Sequence, residues 1–281
     1  MTSGSRSAGA GRSAVVTGAA RGIGRGIAER LVAQGYAVVV SDTDEAAART
    51  CAAEIGAAEG RGLDVRDPEA HRAAAAAAGR LGELTAWFNN AGVGDDGLIG
   101  DLSDEAVRRL VEVNLLGTLW GIRAAVAAFG RRGGDVVNTA SLAGLGPVPG
   151  YSVYAATKAA IVSASMSVAA ETPRRVRVHA LCPDGVRTAM LDAQRPGGLG
   201  AALVHSGGRI LTVEEVAEAA VGLVGAGRVV RTVPAWRGGL IRATTLAPSV
   251  AARATGLFAA QGRRAIARDR GGPSGDAPTG R

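Results

Sequence analysis

A doubly wound α/β domain is what this sequence predicts, on three observations. Short β-branched runs recur along the chain, they are apolar throughout rather than at alternate positions, and stretches of helical period separate them. Strands of that kind are buried on both faces, which requires a mostly parallel sheet with helices on either side. The strand candidates are 14–17, 37–41, 84–88, 135–139, 176–181 and 228–233, with a weaker one at 61–64, seven in all. The helical patterns between them cover roughly 23–34, 44–57, 69–79, 104–129, 154–171 and 213–224. The run 185–208 is rich in glycine and polar residues with scattered Leu and Met. A loop of that length inside a compact domain is expected to be functional, and 185–212 reads as a lid. The single domain spans 13–236, followed by a basic helical appendage at 237–268. Segments 1–12 and 269–281 read as disordered.

Composition narrows the function classes. Of 281 residues 47% are hydrophobic and 20% charged, too apolar for general disorder, and aromatics are only 3%, so Ala, Val, Leu and Ile must build the core. No run reaches the roughly 18 consecutive apolar residues of a membrane span. The N-terminus has no apolar segment of the kind a secretory signal carries. Two cysteines, Cys51 and Cys182, make no disulfide framework, so a reducing, cytoplasmic compartment is expected. Ten arginines against two aspartates from residue 228 onward give +8, and the first 227 residues come to −1 of the chain's +7. The basicity belongs to the appendage, and a nucleic-acid-binding body is disfavoured.

The first strand runs into Thr17-Gly18-Ala19-Ala20-Arg21-Gly22-Ile23-Gly24 and then a helix. Gly18 permits a tight turn. Gly22 and Gly24 remove side chains where a pyrophosphate and a strand must approach the helix N-terminus, whose free N–H groups favour an anion. Asp42 ends the second strand 18 residues after Gly24, close to the ~20 expected of a carboxylate that binds an adenosine ribose hydroxyl. It would repel a 2′-phosphate, so NAD is expected over NADP, although Arg21 offers a competing positive charge. Asp42 also reads as a helix N-cap, a role for which Asp44 competes.

Lys158 is the only lysine, and Asn89, Asn90, Asn114 and Asn138 are the only asparagines. In a chain that otherwise uses Arg, the retained ones mark chemistry that Arg cannot perform. Lys158 follows Tyr154 by four residues, on one helix face. A free tyrosine, with pKa ~10, is a poor base at neutral pH. A neighbouring ammonium is expected to stabilise its phenolate and make Tyr154 an acid/base.

With these residues in place, the chain resembles the short-chain dehydrogenase/reductase family over nearly all of 13–235. The matching segments are TGAARGIG at 17–24, Asp42, Asp64-Val65, NNAG at 89–92, Asn114 in VEVNLLG, Ser141 in VVNTAS, YAATK at 154–158 and, more loosely, CPDGVRT at 182–188. The resemblance implies a Rossmann-type fold and an NAD(P)-dependent oxidoreductase acting on an alcohol or ketone. By that resemblance Asn114, Ser141, Tyr154 and Lys158 form the catalytic set. Ser141 orients the substrate oxygen, Tyr154 moves the proton, Lys158 binds the nicotinamide ribose, and Asn114 holds a helix distortion and a proton relay. Gly18, Arg21, Gly22, Ile23, Gly24, Asp42, Asp64, Val65, Asn90, Ala91, Gly92, Tyr154, Lys158, Pro183, Gly185, Val186 and Thr188 contact the cofactor. No metal is implied, and a homo-oligomer, tetramer or dimer, is. Asn89 and Asn90 also suit turn positions, Ser141 a strand-end cap, and Asn138 a structural role.

Two departures from the family pattern stand out. Pro183-Asp184 replaces the usual Pro-Gly. After the last strand comes Val233-Pro234-Ala235-Trp236 and a long extension instead of a Gly-Gly signature. The extension holds Leu240, Ile241, Leu246, Val250, Leu257, Phe258 and Ile266 among arginines. It is expected to pack on its own protein, with peripheral membrane contact as the alternative. Met190, Leu191, Leu199, Leu203 and Val204 in the lid favour a lipophilic alcohol or ketone. The competing functions are a catalytically silent dinucleotide-binding protein and a membrane-surface adaptor.

Overall fold

A computed structural model describes residues 11–270 except Pro196 and Ala247. Seven parallel strands form one sheet: β1 (Arg12–Thr17), β2 (Ala37–Asp42), β3 (Glu59–Gly62), β4 (Glu83–Asn89), β5 (Gly134–Thr139), β6 (Val176–Pro183) and β7 (Val230–Val233), in the order β3-β2-β1-β4-β5-β6-β7. The order reverses between β1 and β4, which opens a crevice at their carboxyl ends. Successive residues of β1 explain why its pattern is apolar throughout. Ala14 and Val16 join the core beneath α1 (Gly22–Ala33) and α9 (Val213–Val221), while Val15 joins the core on the opposite face, beneath α3 (Pro68–Leu81) and α5 (Gly117–Ala128). The helix α6 (Ser152–Glu171) covers β5 and β6 through Ile161 and Val162.

Helix starts follow the capping residues. Asp44 accepts from the Ala47 N–H at the start of α2 (Glu45–Ile55), and Asp67 precedes Pro68 at the start of α3. Asp44 therefore takes the N-cap role and leaves Asp42 free of it. The segments 104–128 and 152–171 are long and apolar enough to cross a membrane by composition. Both are interior helices of the sheet domain, with Leu110, Ile122, Ala125 and Ile161 buried.

Four expectations need correction. The edge strand β3 lies at 59–62 rather than 61–64. Its register is set by α2, since a Cβ on Gly60 would meet the Ala48 carbonyl oxygen at 2.5 Å. The helix expected over 104–129 is three pieces: α4 (Asp104–Leu110), a π-helical turn Val111–Leu116, and α5. Residue 12 is ordered in β1, with the Arg12 guanidinium 4.3 Å from the Tyr36 ring, and residues 269–270 continue a helix, so neither belongs to a disordered end; the remainder of both expected segments, 1–10 and 271–281, lies outside the described residues. The appendage begins two residues early, as α10 (Ala235–Leu246) and α11 (Pro248–Arg270).

The appendage packs on the domain. On α10, Gly238 abuts Thr232 of β7 and Ile241 abuts Gly146. The insertion contains α7 (Ala189–Asp192) and α8 (Leu199–His205), and its base is closed by a bridge between Val186 and Leu211. α11 crosses α8 so closely that a Cβ on Gly262 would lie 1.6 Å from the Ala202 carbonyl oxygen.

Candidate active site

The carboxyl ends of the strands surround a cavity of about 1440 Å³. Its lining includes Gly18, Arg21, Gly22, Ile23, Asp42, Asp64, Val65, Asn90, Ala91, Gly92, Ser141, Tyr154, Lys158, Pro183, Gly185, Val186 and Thr188. Every expected site residue except Gly24 and Asn114 thus faces one space. Those two stand directly behind its wall.

The turn after β1 fits a dinucleotide. Gly18 and Gly22 adopt φ of +62° and +57°, the left-handed region that favours glycine. A Cβ at Gly18 would sit 2.7 Å from the Ala91 Cα, and one at Gly24 would sit 2.2 Å from the Gly18 carbonyl oxygen, so both glycines are demanded by close backbone packing. Arg21 occupies the N-cap of α1 in extended backbone with no side-chain cap, and no acid stands in the first turn. Those free N–H groups and the helix dipole are what a pyrophosphate needs. Among the described residues the Asp42 carboxylate accepts long hydrogen bonds, from Ala20 N at 3.3 Å and from Thr43 Oγ1 and Asp44 N at 3.4 Å each, leaving it capacity to accept from a ribose hydroxyl. Asp64 is on the cavity wall with its carboxylate already paired. Its carboxylate is gripped by Arg66, whose hydrogen bonds hold it below the usual carboxylate range.

Two more of the expected site residues, Asn90 and Asn114, are engaged with backbone groups. The Asn90 side chain donates to the carbonyls of Thr17 and Gly18, both at 3.2 Å, and Thr17 Oγ1 accepts from the N–H groups of Asn90 and Ala91 at 3.1 Å. Asn90 therefore clamps the glycine turn to β4, and Ala91 and Gly92 present backbone to the cavity. Asn114 lies in the π-helical turn, buried, and binds both polar groups of Val93, at 2.8 and 2.9 Å. A π-bulge frees such a side chain to reach across to a neighbouring segment. That amide is committed to the 92–93 turn and, at 3.4 Å, to Thr157.

Ser141, Tyr154 and Lys158 converge. Ser141 Oγ caps the short 3₁₀ turn Leu142–Leu145 by accepting from Ala143 N at 3.1 Å, and it lies beside the Tyr154 phenol on the cavity wall. It is a cap and a site residue at once. Lys158 Nζ, nearly buried, donates to the Thr139 carbonyl at 2.8 Å and stands 5.5 Å from the Tyr154 ring centroid. Burial pushes the Tyr154 phenol up to about 12, with the neighbouring Ser141 hydroxyl acting in the opposite direction. Burial also brings the Lys158 ammonium down to about 8. The expected lowering of the phenol by Lys158 is therefore corrected for the protein alone. Desolvation dominates both groups, and the ammonium is engaged with Thr139. At neutral pH the pair is a neutral phenol beside a cation.

The helix carrying this pair is fixed by a buried polar chain. Trp87 Nε1 donates to Asn89 Oδ1 at 2.7 Å, Asn89 Nδ2 to Asn138 Oδ1 at 2.8 Å, and Asn138 Nδ2 to Ser165 Oγ of α6 at 2.9 Å. Two retained asparagines thus hold α6 against the sheet, which makes Asn138 structural as expected and takes Asn89 out of the turn. Thr17 and Thr139 are functional neighbours that sequence reasoning missed. Their places, opening the glycine motif and two residues before Ser141, were the signals available. Both cysteines are buried and free, and burial pushes the Cys182 thiol, behind Ser141, up to about 12.

An open parallel sheet with a glycine turn at its switch point and a Ser-Tyr-Lys set beside it defines a nucleotide-dependent oxidoreductase. The family model described as short chain dehydrogenase matches residues 12–197, and the chain belongs to that family. It is 39% identical over 178 residues to sorbitol dehydrogenase of Cereibacter sphaeroides, covering 62% of this chain and 70% of that one. Among solved structures it resembles the 3-ketoacyl-(acyl-carrier-protein) reductase of Brucella melitensis complexed with NADH, at TM-score 0.68 and 31% identity over 75% of this chain and 90% of that one. It also resembles a variant of actinorhodin polyketide ketoreductase with NADPH, at TM-score 0.71 and 31% identity, covering 79% and 95%. A nicotinamide dinucleotide cofactor and dehydrogenase activity on CH–OH groups follow from this kinship.

Proposed function

We propose that this chain interconverts a lipophilic secondary alcohol and its ketone using NAD(H), with Tyr154 as the acid/base. The observation that carries the reading is the convergence of Ser141, Tyr154 and Lys158 on the cavity into which the uncapped start of α1 opens. When bound, the nicotinamide supplies the hydride chemistry. The protein's residues do the rest. Ser141 Oγ and Tyr154 Oη, neighbours on the cavity wall, present two groups to one substrate oxygen and fix its position. In reduction the neutral Tyr154 phenol donates its proton to that oxygen. The Lys158 cation stabilises the phenolate left behind, and in oxidation that phenolate takes the alcohol's proton. Gly92 packs beside Lys158 and Asn114, where a Cβ would stand 3.6 Å from Nζ and 3.2 Å from Oδ1.

NAD is favoured over NADP by the Asp42 carboxylate on the cavity wall, which opposes a 2′-phosphate. A lipophilic substrate is supported by Met190, Leu203, Val204, Leu240, Ile241 and Phe258 on the opposite wall. The ketoacyl and polyketide chains in the names of the two structural neighbours suit such a wall; sorbitol does not. A panel of secondary alcohols and ketones, from polyols to sterols and fatty chains, assayed with NAD(H) and NADP(H) by nicotinamide absorbance, tests this. The expected result is turnover of apolar members with NAD(H). Turnover confined to polyols, or to NADP(H), would overturn the corresponding half of the reading.

A further inference from the structure

The two departures from the family pattern meet in space. Asp184, in place of the usual glycine after β6, has its Oδ2 2.6 Å from Nε of Arg237, the third residue of α10. Both side chains are about nine-tenths buried, at 10% and 11% exposure. The oxygen lies off the Nε–H direction, so this contact is an ion pair rather than a directed hydrogen bond. The directed bonds of Arg237 go elsewhere. Its Nη2 donates to Ser206 Oγ at 3.1 Å and to the Leu203 carbonyl at 3.2 Å, in the last turn of α8. A Cβ on Gly207 would lie 2.7 Å from Asp184 Oδ2 and 2.8 Å from Arg237 Nη1, so the pair is packed against bare backbone. The Asp184 amide donates to the Val233 carbonyl at 2.9 Å, which ties the same turn to the end of β7.

A buried ion pair adds little net stability, because desolvation of two charges offsets their attraction. What it supplies is geometry. One guanidinium joins three segments that are far apart in sequence: the turn after β6 on the cofactor side, the lid helix α8, and the C-terminal helices. A lysine, with one compact ammonium, does not reproduce that fork. Beyond Arg237, the same C-terminal helices bring Leu240, Ile241 and Phe258 to the cavity.

We propose that Arg237 is a positioning residue of the substrate pocket: by bridging Asp184 to the end of α8 it seats α10 as the pocket's outer wall, so the C-terminal helices set how large an apolar substituent is accepted. The specificity half of this rests on the alcohol–ketone reading above; the bridge itself does not.

The test uses the full chain and three variants, Arg237→Gln, Arg237→Lys and Gly207→Ala. The last forces a methyl group between the paired charges and deletes neither. The first readout is hydrogen–deuterium exchange. With NADH binding intact by fluorescence titration, amides of 199–206 and 235–241 should exchange at least roughly tenfold faster in Arg237→Gln and Gly207→Ala, while those of β1 and β4 stay unchanged. The second is a split in kinetics. KM for a bulky apolar alcohol should rise about tenfold with kcat nearly kept, KM for a short secondary alcohol should stay within about twofold, and Arg237→Lys should recover only part of the difference. Unchanged exchange at 199–206 in both disrupting variants would overturn the bridge. Equal KM changes for short and bulky alcohols would overturn its role in specificity. If the wild-type protein turned over no alcohol at all, the exchange experiment would still decide the bridge, and the failure would fall on the proposed reaction. Should Arg237→Gln not fold, Gly207→Ala carries the test alone.

Discussion

The two walls of the cavity are built differently. The cofactor wall, formed by the turn after β1 and the ends of β2 and β4, is held by hydrogen bonds between side chains and backbone at the strand ends, with Thr17 and Asn90 locking the glycine turn. The substrate wall is assembled from the lid, the turn after β6 and α10–α11. It is held by an ion pair and by close packing of helices and loops, such as Asp184 with Arg237, Gly262 with Ala202, and the Gly150 loop against Gly200. The first wall presents backbone and dipoles, which suit a ligand of fixed shape. The second presents replaceable side chains, which suit divergence of substrate at constant chemistry.

Changes that cut across both walls should have the largest effect. Tyr154→Phe removes the proton carrier both depend on. Turnover should fall roughly 10²–10⁴-fold while NADH titrates normally; retained turnover would move the acid/base to another residue. Next in size is a change confined to the cofactor wall. In Gly18→Ala the new methyl group meets Ala91 in a left-handed backbone, which should cost about 1–3 kcal/mol in urea denaturation and weaken NADH binding with it. Full NADH affinity there would mean that the turn is not the phosphate cradle. Asp42→Ser should raise the Kd for NADH about tenfold, the loss of one charge-assisted hydrogen bond, and narrow the NADH/NADPH preference in calorimetry. An unchanged preference would detach Asp42 from cofactor choice. Smallest for the cofactor is the change confined to the other wall. Gly262→Ala pushes α11 off α8 and should leave NADH affinity within about twofold while shifting KM for bulky alcohols. Comparable damage to NADH binding would erase the distinction between the walls.

The same division explains what the sequence disclosed. The sheet, the glycine turn, Asp42 and the Ser-Tyr-Lys set are local patterns whose meaning travels with a few adjacent residues. The lone lysine and the scarce asparagines were legible because their residue types are rare in this chain, and two of the asparagines serve the packing of α6. What lay hidden depended on tertiary contacts. The strand β3, Glu-Gly-Arg-Gly, has no strand-forming residue and owes its place to α2. The break at 111–116 arises because Asn114 bonds Val93, 21 residues away. Asp184 and Arg237 each registered as an oddity or as part of a basic tail, and only the fold shows that they answer one another. The phenol's position was legible and its proton affinity was not. Desolvation depends on what surrounds a group, and no spacing rule reports that.

The central claim is that one buried ammonium sustains the proton chemistry of Tyr154. It is tested most directly by the pH profile of kcat/KM for ketone reduction in the wild-type protein and in Lys158→Arg. Lys158 is pulled down to about 8, so its charge is present below that pH and lost above it. The wild-type profile should hold through neutrality and fall as pH rises past about 8. An arginine stays charged throughout this range but is too large for the slot between Thr139 and Gly92. The variant should run at least roughly 100-fold slower with no fall near 8. A wild-type profile without that fall, or an arginine variant of near wild-type rate, would contradict the claim.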